Sequence, residues 1–396
     1  MTPTRRATTR REFLTMAAGV GAVTLLAACG QAAPASSPAS VAASPAAKPP
    51  ASMAVASDPS KPATPKLATL DQELALPASI LDAAKKEGKF FWTSSINTQP
   101  AKVVMDAFKK RYPEIDAQYQ EGSEETRTVR TLTEFKAGKN KLDVVQGIGG
   151  FLSEYKAANA LTPLNALPAY ANYDPPFRDP GNLWASMRTQ YWSIVYNTDK
   201  VKAADLPKTW DDLTTATWKG RMGLGDRPQL WVLQLWKTWG AQRATDFLKK
   251  LFANNPQRRK EGIDASTKLA GAGEYDLYLP AAPYHAQGAK QAGAPVAWYT
   301  PEPLPVAFSD ISILANSPSP NAAKVFVNWF LSREGQDVYC KADNAAPVHP
   351  ALRLDRQYLG IFADSFIGKQ WAVTSPDDEA AFMPDIRKLW QQLWIS

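Results

Sequence analysis

Three short runs, Phe90-Phe91-Trp92-Thr93, Ile115-Asp116-Ala117-Gln118-Tyr119 and Leu142-Asp143-Val144-Val145, decide the fold. The first follows a turn at Gly88, the second alternates apolar and polar residues, and the third is a short apolar stretch, as strands require. Between the first two, residues 101–111 put Val104, Ala107 and Phe108 on one helical face and stop at Tyr112-Pro113. Between the second and third, residues 126–137 put Val129, Leu132 and Phe135 on one side and stop at Gly138. Strand, helix, strand, helix, strand with short connections predicts an α/β body with a parallel sheet and right-handed crossovers.

Such a sheet has one ligand-facing edge, outside the carboxyl ends of its strands. The loops Ser94-Ser95-Ile96-Asn97, Glu121-Gly122-Ser123 and Gly147-Ile148-Gly149-Gly150 all leave strands on that edge. Small and hydroxyl-bearing residues there let backbone N–H groups and helix starts reach a ligand. Ser94, Ser95, Asn97, Ser123 and Gly149 are therefore candidate ligand contacts; the alternative is that these are plain short turns.

The middle of the chain repeats the pattern. Residues 221–224 and 275–279 read as strands, 230–239 and 286–291 as helices, with Gly225-Asp226-Arg227-Pro228-Gln229 and Pro280-Ala281-Ala282-Pro283-Tyr284-His285 as the intervening loops. A second α/β body with its own ligand edge is expected. Arg227 suits a carboxylate or phosphonate, with Gln229 in the same loop. Ser266 and Thr267 offer hydroxyls, and Tyr284 and Trp192 offer flat faces for a ligand. Each has a structural alternative: a solvated charge for Arg227, packing for Tyr284, a helix N-cap for Ser266-Thr267. His285 and His349, the two histidines of the chain, are too far apart in sequence to suggest a metal pair, so neither a metal site nor a cofactor is expected.

Composition narrows the class. The chain has 396 residues, 45% of them hydrophobic, with 13 tryptophans. Residues 67–396 suffice for two domains. The net charge is +7, scattered rather than clustered, which excludes nucleic acid as an expected partner. Residues 31–66 are nearly all Ala, Pro, Ser and Lys without an aromatic, and cannot bury enough apolar surface to offset chain entropy. Such a tether spans roughly 35 Å as a coil. If Cys29 is modified, Cys340 has no partner for a disulfide and reads as a small buried hydrophobe.

Ahead of the tether, Thr9-Arg10-Arg11-Glu12-Phe13-Leu14 resembles a twin-arginine export signal. An uncharged run over residues 16–28 follows, too short to span a bilayer, and Leu26-Ala27-Ala28-Cys29-Gly30 resembles a bacterial lipoprotein signal with Cys29 lipidated. The implied location is extracytoplasmic, anchored to the cell membrane through Cys29.

The body resembles the extracellular solute-binding proteins of ABC importers, in the branch that includes the ferric-iron binders. The resemblance runs over nearly all of residues 81–339. It rests on Ala84-Lys85-Lys86-Glu87-Gly88-Lys89, Phe108-Lys109-Lys110-Arg111-Tyr112-Pro113-Glu114, Tyr196-Asn197-Thr198, Pro207-Lys208-Thr209-Trp210-Asp211-Asp212-Leu213, Trp218-Lys219-Gly220, Gly273-Glu274-Tyr275 and Pro320-Asn321-Ala322-Ala323-Lys324. It implies a two-lobed periplasmic binding protein type II fold with two crossover hinge segments, here 191–197 and 306–314. A ligand would sit in the cleft, the lobes would shut by hinge motion, and the shut form would dock on an ABC permease. The expected organisation is a signal over 1–29, a disordered tether over 30–66, lobe one over 67–190 and lobe two over 191–305. Residues 306–396 then return to lobe one, with C-terminal helices packed back on it.

The ferric members hold iron through neighbouring tyrosines in the loop where this chain has Pro283-Tyr284-His285, so at most one of that pair is present. The expected function is therefore capture of a small anionic or polar organic solute by a monomeric, lipid-anchored receptor serving a permease. Two alternatives stay open: a ferric-iron binder of the same fold, and an extracytoplasmic enzyme such as a hydrolase using two carboxylates. The chain has no Gly-x-Ser-x-Gly, His-Glu-x-x-His or Gly-x-x-x-x-Gly-Lys motif, and its Asp211-Asp212 and Asp377-Asp378 pairs are consecutive, so on a helix they face apart.

Overall fold

The computed structural model describes residues 58–343 and 345–395; the expected signal, Cys29 and most of the expected tether lie outside them. Strands β1 (Lys89–Ser94), β2 (Asp116–Glu121), β3 (Val144–Gln146), β4 (Leu161–Thr162) and β5 (Ala185–Tyr191) belong to one sheet. Strands β6 (Ser193–Asn197), β7 (Met222–Gly225), β8 (Gln257–Arg259), β9 (Leu277–Ala281) and β10 (Val296–Tyr299) form another. The long β11 (Leu304–Leu314) and β12 (Trp371–Val373) return to the first.

In the first sheet β1 runs parallel to β2, from Lys89 opposite Asp116 to Ser94 opposite Glu121, and parallel to β3. The helix Thr98–Arg111 joins β1 to β2 and buries Ala101, Val104 and Phe108. A widened turn over Thr126–Arg130 and a helical turn over Thr131–Lys136 join β2 to β3. The α/β architecture expected from the sequence is thus present. Its core gathers Phe90, Trp92, Phe108, Phe326 and Trp329. In the second sheet β7 is parallel to β8 and β9, while β6 and β10 run antiparallel at the other side. Trp210, Trp231, Phe247 and Leu251 fill that core.

The chain passes between the sheets at Trp192, the single residue separating β5 from β6. It returns through residues 300–303, slightly ahead of the expected 306–314. The reason is local: β11 is bonded to β5 from Val306 onward and lies wholly in the first sheet, whereas Thr300-Pro301-Glu302-Pro303 lacks ladder donors at its two prolines.

Two further expectations are corrected. The C-terminal part does not all pack on the first lobe. Phe366 and Trp371 join the first core, but residues 374–375 carry the chain across again, and the helix Pro376–Ile395 puts Met383, Ile386 and Trp390 into the second. The spacing of those three residues makes one apolar stripe, and the second core offers it aromatic partners. Residues 58–66, which composition places in the tether, rest on the first lobe. Arg353 Nη2 donates to the Lys61 carbonyl at 2.8 Å, and Lys66 Nζ pairs with Asp174 at 2.8 Å.

Candidate functional site

Both sheets direct strand ends toward the space between them. That space holds two adjoining cavities of about 420 and 560 Å³, which meet at Ser95, Arg188 and Gln190. The smaller has Ser95, Asn97 and Arg188 on the first lobe and Pro283 and Tyr284 on the second. The larger has Gly149 and Asp310 on the first lobe, Arg227 and Gln229 on the second, and Glu379 and Arg387 on the last helix.

Arg188 is the residue that sequence reasoning missed. It sits in β5, where Met187, Thr189 and Tyr191 are buried and Arg188 and Gln190 are half-buried on the other face. Arg188 Nη1 donates to Asp343 Oδ2 at 2.8 Å, and the Tyr339 hydroxyl donates to the same oxygen at 3.1 Å. Arg188 Nε is sealed from solvent without a hydrogen-bond partner among the described residues. Burial works against the guanidinium charge, but Tyr339 and Asp343 outweigh it and its pKa is raised. This is a fixed cation at the junction of both cavities.

Around it the predicted residues divide. Ser95 follows the end of β1; its N–H donates to Gln146 Oε1 at 2.8 Å and its hydroxyl to the same atom at 3.3 Å. Asn97 begins the helix Thr98–Arg111, but its exposed side chain makes no capping bond. Tyr284 lies in the first turn of the helix Pro283–Gln291, one turn earlier than the spacing suggests, because Pro283 suits that position. It is 55% exposed, and one face stacks on His285 with centroids 4.1 Å apart. Ser95, Asn97, Gly149, Arg227, Gln229 and Tyr284 all line the cavities.

The other five do not. Ser94 is buried, its hydroxyl 2.9 Å from that of Tyr119 and accepting from the Ile96 N–H at 3.0 Å. Ser123 Oγ accepts from the Thr126 N–H at 3.2 Å and so serves its own turn. Trp192 is 6% exposed, within the second core. Ser266 and Thr267 are buried inside the helix Ile263–Ala272 and therefore cap nothing. Hydroxyl-bearing residues look alike in a sequence whether they face a cleft or a core.

Gly149 reaches the larger cavity through its backbone only. It has φ +50°, and a side chain there would meet Glu379 Oε2 at 3.2 Å. Its N–H donates to Asp310 Oδ1 at 3.2 Å, as the Ile148 N–H does to Oδ2 at 3.2 Å. Burial pushes the Asp310 carboxyl upward against those two bonds. Glu379 is pushed the same way, by burial first, with Glu124 and Asp310 adding to it and Arg387 opposing. Arg127 closes the floor of this cavity: its Nε donates to the Gly122 carbonyl at 3.1 Å, and its Nη1 bonds the carbonyls of Gln146 and Gly147. That guanidinium is committed to the fold; Arg188, Arg227 and Arg387 are the other arginines on the cavity walls, and of these Arg188 is paired with Asp343.

Among the described residues no cluster of three or more His, Cys, Asp or Glu is placed to hold a metal ion, and no helix is long and apolar enough to cross a membrane. Of the two histidines, His285 Nδ1 lies 3.1 Å from the Ala282 carbonyl, and His349 is buried with Nε2 3.1 Å from Glu73 Oε1.

Comparison with known proteins agrees with this fold. The family described as bacterial extracellular solute-binding protein matches residues 139–358. The Fe(3+)-binding periplasmic protein of Serratia marcescens is 28% identical over 192 residues, which is 46% of this chain and 56% of that protein. The chain spans about half the length of the curated relatives it matches. Among solved structures, the Trichodesmium protein IdiA (FutA) with iron and citrate superposes with a TM-score of 0.66 at 23% identity, covering 77% of this chain and 99% of that one. The periplasmic binding protein AfuA of Actinobacillus pleuropneumoniae, with fructose-6-phosphate bound, superposes at 0.58 and 20% identity, covering 77% and 97%. These likenesses establish the two-lobed type II binding-protein fold.

Proposed function

Because the chain belongs to the bacterial extracellular solute-binding proteins, we propose that it captures a small anionic organic solute in the cleft and delivers it to an ABC permease. In this reading the protein works outside the cytoplasm as a monomer, held near the membrane by a lipid on Cys29 and the Ala/Pro/Ser tether. Ligand would lie where the two cavities meet, with Ser95, Asn97 and Arg188 on one lobe and Tyr284, Arg227 and Gln229 on the other. A solute touching both lobes favours the shut arrangement, and that differential contact is what drives hinge closure.

Arg188 carries the proposal. Its side chain lines both cavities, although its Nε is sealed from solvent and without a partner among the described residues. An oxyanion in the cleft pairs with the cavity-facing side of the guanidinium, while Asp343 and Tyr339 hold the group in place. The iron reading has the relatives' ligands in its favour, but iron(III) asks for several hard anionic oxygens. The Tyr191 hydroxyl is engaged with Phe362 O at 3.4 Å, that of Tyr358 with Asp337, and Asp343 with Arg188. Among the described residues Tyr284 is the one phenol of the smaller cavity without such a partner, and no group of three or more His, Cys, Asp or Glu is placed to hold a metal ion.

A thermal-shift panel of organic acids, phosphate esters and ferric citrate tests this. A true ligand at a hundred times its dissociation constant stabilises the fold by about 2.7 kcal/mol. Arg188→Gln removes a charged hydrogen bond worth about 1.5–3 kcal/mol, so the affinity for an anion is expected to drop roughly 10- to 150-fold. Stabilisation by ferric complexes alone, or unchanged anion binding by the variant, would refute the proposal.

A further inference from the structure

Resting on that reading, we infer that the solute is an aromatic acid: a carboxylate or comparable oxyanion carried on a flat ring. The head group and the body of the ligand meet different chemistry in the smaller cavity. Arg188, Ser95 and Asn97 form a polar end on the first lobe. Beyond them the lining includes Tyr191, Pro283, Tyr284, Tyr358, Leu359 and Phe362, beside the polar Thr189, Gln190 and Asp343.

Those tyrosines offer carbon rather than hydroxyl. Tyr191 OH lies 3.4 Å from Phe362 O and 3.5 Å from Ser365 Oγ. Tyr358 OH is held by Asp337. With both hydroxyls engaged on protein partners, ring surface is what they contribute to the cavity. Tyr284 extends the argument. Among the described residues it is the one aromatic in the set of large hydrophobic side chains left exposed, and the pairing with His285 uses one of its faces. The side chain lines the smaller cavity, at a site where one of this size is ordinarily covered. Phe362 in turn is propped by Trp298, with centroids 5.4 Å apart, and Trp298 Nε1 donates to Ser365 Oγ at 3.0 Å. The aromatic wall is therefore buttressed, not loose.

A ring between Tyr284 and Phe362 would make offset or edge contacts of the kind aromatic pairs favour. About 420 Å³ lies within the range of sites that enclose a small organic molecule.

Calorimetric titration of the purified protein with benzoate and phenylacetate, against acetate, inorganic phosphate, fructose 6-phosphate, ferric citrate and benzyl alcohol, decides the matter. Benzoate or phenylacetate is expected to bind at least about tenfold tighter than acetate. Tyr284→Ala and Phe362→Ala are each expected to lower the ratio of aromatic-acid to acetate affinity by roughly 2- to 12-fold. If acetate, phosphate or fructose 6-phosphate binds as tightly as the aromatic acids, the aromatic assignment falls and anion capture stands. If benzyl alcohol binds as tightly as benzoate, or Arg188→Gln leaves benzoate binding intact, the anion anchor itself falls. Tyr284 is exposed, so that variant folds and keeps the test valid even where Phe362→Ala does not.

Discussion

Trp390→Ala is expected to destabilise the protein by about 3–5 kcal/mol, the usual cost of emptying a buried aromatic site. Trp390 is 5% exposed. Its ring meets Phe252 edge-on at 5.2 Å and Trp231 edge-on at 6.4 Å, and stacks on Trp394 at 5.6 Å. Its Nε1 has no hydrogen-bond partner among the described residues, so the loss is one of packing alone. Stabilities of whole domains are about 5–15 kcal/mol, so one side chain near the end of the chain decides much of the second lobe. Trp390→Phe keeps an edge against Phe252 and Trp231 and should lose about 1–2 kcal/mol. Urea titration followed by tryptophan fluorescence reads both variants. A loss below about 1 kcal/mol for Trp390→Ala would mean that the last helix does not complete the second core, and the third passage of the chain between lobes would lose its physical basis.

Glu379 has its pKa raised by burial beside Glu124 and Asp310. A raised folded value means that the folded protein binds this proton more tightly than the unfolded chain, so stability falls as pH climbs from the ordinary Glu range through the folded pKa. Glu379→Gln should therefore raise the melting temperature at pH 7.5 and leave it unchanged near pH 4; an unaltered melt at both pH values would discard the argument. Glu73 behaves oppositely. Burial pushes its pKa up, but the hydrogen bond from His349 and the backbone N–H of Arg333 outweigh this and leave it lowered. The stability it brings is present above the ordinary Glu pKa and vanishes as pH falls through the lowered one. Glu73→Gln should cost about 3–5 kcal/mol at pH 7, because Arg333 and His349 lose a buried partner. The gap from the unaltered protein should close at pH 3, and equal urea midpoints at pH 7 would show that the cluster contributes nothing.

The contrast between what was legible and what was not follows the range of the interactions. The βαβαβ order is local: period-two and period-3.6 apolar spacing, a stop at Tyr112-Pro113 and another at Gly138 place β1 to β3 without outside help. Loops at strand ends are also local, which is why Ser95, Asn97, Gly149, Arg227, Gln229 and Tyr284 reach the cleft. The centre of the site is not local. Arg188 lies mid-strand, opposite Ser309 of β11, and is fixed by an aspartate 155 residues further on. An arginine in an alternating strand reads as the solvent face until one knows that the solvent face of β5 is the wall of a cleft. Strand periodicity tells which side of a sheet a residue occupies, and only the path of the later chain tells what that side confronts. The same reasoning covers the last helix. The stripe of Met383, Ile386 and Trp390 says that the helix is buried somewhere, but choosing between two cores needs the aromatic partners Phe252 and Trp231, more than a hundred residues earlier.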